Sequence, residues 1–215
     1  MKKILALVGD FYHPADYLSR GLSNIFTEHQ EYSLEVKEDY QEIYWDKIMA
    51  YDLFILAASG KLNPEESDDV WMTEEHQEIL HNYVSEGGSL MVLHSGLAGY
   101  PTDGLFRQIS RGHFIEHPPE HPAIMIRATA NDHYISEGIE EFTIVDEQYF
   151  VEVDEKDTIV VLKAESEEFG VSIAGWAHSY KAGRVSCITP GHTLEVLNQQ
   201  MMKKVIIGSV EWCLA

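Results

Sequence analysis

The chain has 215 residues, 45% of them hydrophobic, which is enough to close one sizeable core without disulfides or structural metals. Its 36 Asp and Glu residues outnumber 15 Lys and Arg, and the resulting formal charge of −21 repels a nucleic-acid backbone or an anionic membrane surface. Composition therefore excludes nucleic acid and membrane lipid as expected partners and predicts one domain over residues 1–215.

The two cysteines and the first residues of the chain indicate the cellular compartment in which the protein is expected. Cys187 and Cys213 have neither the spacing of a metal motif nor a disulfide-rich context. Residues 1–3 lead into a strand-like run rather than a signal peptide, and no apolar stretch approaches the roughly 20 residues that cross a bilayer. We therefore expect a soluble protein of the cytoplasm.

Strand-like and helical patterns alternate along the first 93 residues. A short apolar run ending in Gly9 predicts a strand buried on both faces, and apolar residues at helical spacing after Pro14 predict an amphipathic helix. Thr73 can cap a later helix, which Gly87-Gly88 ends. In chain order the predicted elements are a strand at 4–9, a helix at 14–29, strands at 34–36 and 51–58, a helix from Thr73 to Gly87 and a strand at 89–93.

The pattern changes after residue 93. Residues 94–121 hold four histidines, four glycines and three prolines without sustained periodicity, which predicts a long functional loop. Later strands, some of them antiparallel, are predicted at 123–128, 142–150, 158–163, 171–176 and 184–189, and a helix at 194–214. Since helices and strands alternate early and strands follow one another later, we expect a flavodoxin-like three-layer α/β/α fold with a mostly parallel sheet and a β extension.

Four histidines closely follow predicted strands: His13, His94, His178 and His192. Ligands of an open parallel sheet bind outside the carboxyl ends of its strands, so we expect His13, His94 and His192 to line one cleft. For any single histidine, a helix cap or a surface loop is the simpler interpretation, and Pro14 makes His13 a candidate cap. The repetition at equivalent strand ends favours a site.

A pair of acids, Asp146-Glu147, stands within the predicted strand at 142–150. Consecutive strand residues face opposite sides of a sheet, so only one acid can face a site, and we favour Glu147. A solvated edge strand explains the pair equally well.

Further histidines follow in the predicted loop. His113 and His117 are four residues apart, a spacing that coordinates a metal on a helix, but the neighbouring glycine and prolines argue against a helix there. A structural turn is the stronger interpretation. We keep His113, His117 and His133 as alternates to the main histidine set.

Two residues have competing interpretations. Ser95 follows a strand in Leu93-His94-Ser95-Gly96, like the serine of a nucleophile elbow, but Leu93 replaces the first glycine of that motif. A catalytic Ser95 is therefore the minority interpretation. For Trp176, core packing is the stronger interpretation and a packing face for a ligand the weaker.

Six ordered segments carry a family resemblance. They are Tyr12-His13, Gly87-Gly88 through Leu93-His94-Ser95-Gly96, Gly112-His113-Phe114 with His117-Pro118, Asp132-His133-Tyr134-Ile135 with Gly138, Asp146-Glu147-Gln148-Tyr149, and Gly183-Arg184-Val185 through Gly191-His192-Thr193. In this order they resemble the ThuA-like, or trehalose-utilisation, family of the class I glutamine-amidotransferase-like superfamily. Two positions depart from it: Tyr134 stands where the family commonly has proline, and Lys181-Ala182 interrupts a glycine-rich approach to Gly183.

The resemblance implies a three-layer fold and a role in carbohydrate utilisation, acting on oxidised (keto) disaccharides. It implies no glutamine amidotransferase activity, because the cysteine nucleophile of the superfamily is replaced around His94-Ser95.

Two functions fit these residues. The first is an enzyme of sugar chemistry, a hydrolase, lyase or isomerase, in which His94, His192 and Glu147 act as metal ligands or as general acid and base. An unprotonated histidine cluster suits a divalent metal, zinc before others. The residues expected to contact the small carbohydrate are His13, Ser95, Tyr149 and Trp176. The alternative is a non-catalytic sugar- or metal-binding regulator, and self-association into a homo-oligomer stays open.

Overall fold

A nine-stranded mixed sheet organises the protein in the computed structural model, which describes residues 1–130 and 132–215. The helices are α1 (Ala15–Phe26), α2 (Glu74–Ser85), α3 (Leu105–Ser110), α4 (Leu194–Asn198) and α5 (Gln200–Leu214). The strands are β1 (Lys2–Val8), β2 (Tyr32–Lys37), β3 (Leu53–Ala57), β4 (Ser89–Leu93), β5 (Gly112–Glu116), β6 (Ala123–Ala128), β7 (Phe142–Val145), β8 (Phe150–Val153), β9 (Ile159–Ser166), β10 (Gly170–Tyr180) and β11 (Gly183–Ile188).

The sheet has a parallel half and an antiparallel half. Its strand order is β2-β1-β3-β4-β11-β10-β9-β6-β7. Every pair from β2 to β11 is parallel, whereas β11, β10, β9, β6 and β7 pair antiparallel with one another. The parallel half repeats the 2-1-3-4-5 order of flavodoxin-like folds, and β10, β9, β6 and β7 form the extension. The predicted fold class is confirmed.

Helices cover both faces of the parallel half, because its strands are apolar on both sides. β1, β3 and β4 are buried over all or most of their length. Leu18 of α1, Leu197 of α4 and Val205 of α5 belong to the core on one face. Leu80 of α2 and Phe106 of α3 belong to the core on the other face. No helix within residues 1–130 and 132–215 is long and apolar enough to cross a membrane.

The segment predicted as one long loop contains regular structure. Residues 94–121 include a 3₁₀ turn at His94–Leu97, helix α3 and strand β5, which pairs with β8 in a separate two-stranded sheet. α3 spans six residues and β5 five, too few for either period to stand out in the sequence.

The predicted strand at 142–150 is two strands in two sheets. β7 lies at the edge of the large sheet and β8 pairs with β5, and residues 146–149 between them are irregular. Alternation along a strand therefore does not apply to Asp146 and Glu147.

His178 is not at a strand end, contrary to the prediction. β10 continues to Tyr180, so that His178 lies within the strand, and its Nε2–H donates to the backbone oxygen of Ile109. β10 also runs antiparallel to β11, so its carboxyl end lies at the opposite edge of the sheet from the ends of β4 and β11.

Candidate functional site

Three parallel strands deliver histidines to one edge of the sheet. His94 follows β4, His192 follows the neighbouring β11, and His13 follows β1 after a short turn. The irregular segment between β7 and β8 adds Glu147. One ligand atom from each of these four residues lies within 4.8 Å of all the others. The structure thus brings together His13, His94, Glu147 and His192, and their roles as ligands or catalytic groups stay predictions.

The backbone at His94 turns sharply to point the imidazole into this cluster. His94 has a φ of 47°, in the left-handed region that non-glycine residues rarely adopt. Gly96 lets the turn lie against β3, since a Cβ there would stand 2.2 Å from the backbone oxygen of Leu56. Such strain persists only where the surrounding structure over-determines it, and it is common at functional sites.

Hydrogen bonds fix the ring orientation of His94 and His13. His94 Nδ1 is 2.7 Å from the backbone oxygen of Thr189, and His13 Nδ1 is 2.7 Å from Asp10 Oδ1. A carbonyl oxygen only accepts, so His94 Nδ1 carries a proton, and the Asp10 carboxylate selects the same tautomer of His13. The Nε2 atom of each ring is therefore the one turned toward Glu147.

Asp10 is a site residue that the sequence patterns did not single out. Its Oδ2 accepts a hydrogen bond from the Ser59 backbone N–H at 2.8 Å, while Oδ1 holds His13. Burial alone would raise the pKa of Asp10, but the His13 ring and the Ser59 N–H lower it to about 2. The sequence feature that could have identified Asp10 as a site residue is its position directly after Gly9, at the carboxyl end of β1.

Asp146 was assigned to the far side of a strand and instead supports the site. Its two oxygens accept hydrogen bonds from the backbone N–H groups of Gly191 and His192, at 2.8 and 3.1 Å. Burial raises the pKa of Asp146, opposed by the nearby His94 and by the Gly191 N–H. The carboxylate thereby anchors the loop that carries His192.

Glu147 stands at the centre of the site, with its two oxygens facing different imidazoles. Oε2 is 3.3 Å from His94 Nε2 and 3.8 Å from His13 Nε2. Oε1 is 3.3 Å from His192 Nδ1 and 3.7 Å from the Nε2 atoms of both His117 and His121. His121 was not predicted, because its position among the prolines after β5 gave no metal-motif spacing.

The electrostatics couple this carboxylate to the imidazoles. Burial would raise the pKa of Glu147, but the neighbouring imidazoles of His13, His192 and His94 hold it far below its usual range. Burial would lower the pKa of His13, whereas its contacts with Asp10 and Glu147 raise it to about 9. In the absence of another cation, the cluster therefore stabilises a proton on His13.

Two buried atoms of the cluster lack hydrogen-bond partners within the part of the chain that the structure describes: His13 Nε2 and Glu147 Oε2. Buried polar atoms normally have a partner, so these two point to a missing group. Nitrogen ligands about 2.0–2.1 Å from a tetrahedral zinc lie about 3.4 Å from one another. His94 Nε2 and His192 Nδ1 are 3.4 Å apart. The residues present fit a divalent cation.

A cavity of about 490 Å³ opens directly over the cluster. This volume lies within the range of small-molecule sites. Its lining residues are Tyr12, His13, Ser59, Lys61, Pro64, Ala98, Gly99, Phe114, His117, Glu147, Tyr149 and His192. Tyr149 stacks on His94, with ring centroids 4.5 Å apart, and on His117, with centroids 5.7 Å apart. Its ring is thus engaged with imidazoles, and the exposed Tyr12 offers the free aromatic surface.

Other predicted site residues lie away from the cavity. Trp176 is 0% exposed and its Nε1–H donates to the backbone oxygen of Ser110, so the ring is part of the core and presents no surface to a ligand. Ser95 is buried with its hydroxyl next to Asp10 rather than in the cavity. His113 accepts a hydrogen bond from Arg107, and His133 packs against Trp212.

Comparison with known proteins gives a family and a fold. The chain matches the model of one protein family, described as trehalose utilisation (ThuA), over residues 6–213. No curated protein sequence matches it.

Solved structures share the fold along almost the whole chain. A ThuA-like protein from Bacteroides uniformis ATCC 8492 is 15% identical, with a TM-score of 0.76 over 99% of this chain and 91% of that one. A cytoplasmic protein from Salmonella typhimurium LT2 is 13% identical, with a TM-score of 0.70 over 98% of this chain and 99% of that one. A β-galactosidase from Rahnella sp. R3 is 10% identical, with a TM-score of 0.65 over 98% of this chain but only 31% of the enzyme. At these identities the likeness is one of fold alone.

Proposed function

The chain belongs to the trehalose-utilisation (ThuA) family, and from that membership we propose that it is a carbohydrate-utilisation enzyme acting on a sugar or keto-sugar in the histidine-lined cavity. His13, His94, His192 and Glu147 would hold a divalent cation, with zinc the best match to the donor set. A bound divalent ion supplies a Lewis acid that polarises a carbonyl or hydroxyl oxygen of the ligand.

The observation that carries this proposal is the convergence of several imidazole nitrogens on one buried carboxylate. His94 and His13 donate their Nδ1–H groups elsewhere, so each ring turns its Nε2 atom toward Glu147 Oε2. Lone pairs and a carboxylate repel one another unless a positive charge lies between them. A metal ion or protons on the imidazoles supply that charge, and both uses suit catalysis at neutral pH.

The protein's own groups account for binding and proton transfer. His192 and Glu147 line the cavity, and where they do not hold a cation they would act as general acid and base for hydrolysis, elimination or isomerisation at a keto-sugar. Tyr12 and Phe114 supply aromatic surface for a sugar ring. The charge of −21 favours an uncharged carbohydrate over a sugar phosphate.

The test is a turnover assay, in which proton NMR monitors the conversion of an oxidised disaccharide. The protein is purified without chelator or nickel. We expect wild type to convert the sugar, and His94→Ala and Glu147→Gln to lose roughly 100-fold or more of kcat/KM, as removal of an acid–base or ligand group does. The control is His81→Ala. The His81 ring contacts Asn82 and Lys181 and does not line the cavity. Saturable sugar binding without conversion would contradict an enzyme and support the regulator.

A further inference from the structure

Glu147 is contacted from two sides by two different sets of imidazoles. The inner side, Oε2, faces His13 and His94, both nearly or fully buried. The outer side, Oε1, faces His117 and His121, whose side chains are 32% and 39% exposed. His192 contacts Oε1 at 3.3 Å and lies between the two sets. One carboxylate with nitrogen ligands on both oxygens has the arrangement of a bridging ligand.

The inner set is complete without the outer imidazoles. His13, His94, His192 and Glu147 supply four ligand atoms within 4.8 Å of one another, enough donors to hold one divalent cation. His117 and His121 are not needed there. The inner set therefore does not explain why His117 and His121 also lie against the Glu147 carboxylate.

The His117 ring has the orientation typical of a metal-ligating histidine, with one nitrogen bonded to a backbone carbonyl and the other turned toward the site. Its Nδ1 lies 2.7 Å from the backbone oxygen of Pro118, so Nδ1 carries the proton and Nε2 is turned toward Glu147 Oε1. Metal-ligating histidines commonly donate their other N–H to a backbone carbonyl in this way. His121 is held on the same side by an edge-on contact with His192, with ring centroids 4.8 Å apart.

We propose that Glu147 bridges two divalent cations, the second held on its outer oxygen by His117 and His121. The proposal rests on the proposed function, because it adds a cation to the same site. The 3.7 Å separations of both outer Nε2 atoms from Oε1 exceed the spacing of about 3.4 Å around a tetrahedral ion by only a few tenths of an ångström. Half-exposed side chains can make that adjustment.

The outer position also has the composition of a catalytic site. Three protein ligands leave the fourth place of a tetrahedral ion open, as catalytic zinc sites do. His117 and Glu147 line the cavity, so that the open place faces the ligand. A cation held there by His117, His121 and Glu147 would supply a Lewis acid to an oxygen of a sugar bound in the cavity.

The test is the number of ions per chain, by elemental analysis after saturation with zinc and removal of free metal. We expect two per chain in wild type, one in the double variant His117→Ala/His121→Ala, and two in the control His113→Ala, which removes an imidazole from β5. Wild type loaded with Mn²⁺ should show the electron paramagnetic resonance spectrum of an exchange-coupled pair, a result that depends on no variant.

The outcomes separate this proposal from the proposed function. One ion in wild type and in the double variant, with uncoupled Mn²⁺, overturns the second position and leaves the inner site standing. No bound ion overturns both cation sites. Two ions in wild type and in the double variant place the second ion elsewhere on the chain and overturn the assignment to His117 and His121.

Discussion

Three acidic side chains position the imidazoles, each through a different kind of contact. Asp10 orients a ring, at His13 Nδ1. Asp146 holds the backbone N–H groups of the loop at His192. Glu147 alone faces the imidazole nitrogens at the centre. Of the three, only Glu147 was selected from the sequence, and by a strand alternation that does not apply there. The contacts of Asp146 depend on the fold, whereas Asp10 contacts a histidine only three residues away.

The substitution Asp10→Asn should weaken zinc binding, although Asp10 is not one of the proposed zinc ligands. The amide keeps the shape of the carboxylate but loses the charge that fixes and polarises His13, and loss of such a partner typically costs roughly 10–100-fold in affinity. The measurement is competition with a chromophoric chelator, made above and below the His13 pKa of about 9, since proton release contributes to apparent affinity. Asp16→Asn, at an exposed position in the first turn of α1, is the control. Equal affinities in the Asp10 variant and wild type would remove Asp10 from the site.

At the scale of elements, strand direction decides where the strand-end argument holds. β1, β4 and β11 are parallel, and the residues after them meet at one edge. β10 also has a buried centre but runs the other way, and its sequence does not reveal its direction. His13, His94 and His192 could thus be placed from sequence, whereas His178 could not.

His178 has a structural role that predicts a pH effect. Its Nε2–H ties β10 to the end of α3 through Ile109, 2.9 Å away. The pKa of His178 is lowered from 6.5 to about 4, mainly by burial and also by the nearby Arg111. The contact with Ile109 and the charges of Asp154 and Asp157 oppose this shift. Between these pH values the unfolded chain binds a proton that the folded chain excludes, so stability falls as pH falls from 6.5 to 4.

The loss amounts to about 3 kcal/mol in wild type, at about 1.4 kcal/mol per pKa unit. His178→Gln has no such proton to exclude, so its unfolding free energy in urea should change less over the same pH range. The difference between wild type and His178→Gln isolates this group from Asp10, His13 and Glu147, which titrate in both proteins. Parallel pH curves for the two proteins would contradict the account.

At the scale of the whole molecule, the fold was easier to predict than the site. Long apolar runs at β1, β3 and β4 are typical of strands covered on both faces, and their alternation with helices indicates a doubly wound sheet. The extension was visible only as consecutive strands, and the small β5–β8 sheet was not visible. His117 and His121 follow β5 of that sheet, so their place beside Glu147 could not be read from residue spacing.

The central claim is that His94 and His192, from strands far apart in sequence, act with Glu147 as one cation-binding unit. The measurement that tests it most directly is the zinc affinity of His94→Ala, His192→Ala and the double variant, with His113→Ala as control. Members of one unit are not independent, so the double variant should lose little more affinity than either single variant. Losses that multiply in the double variant, or wild-type affinity in both single variants, would contradict the claim.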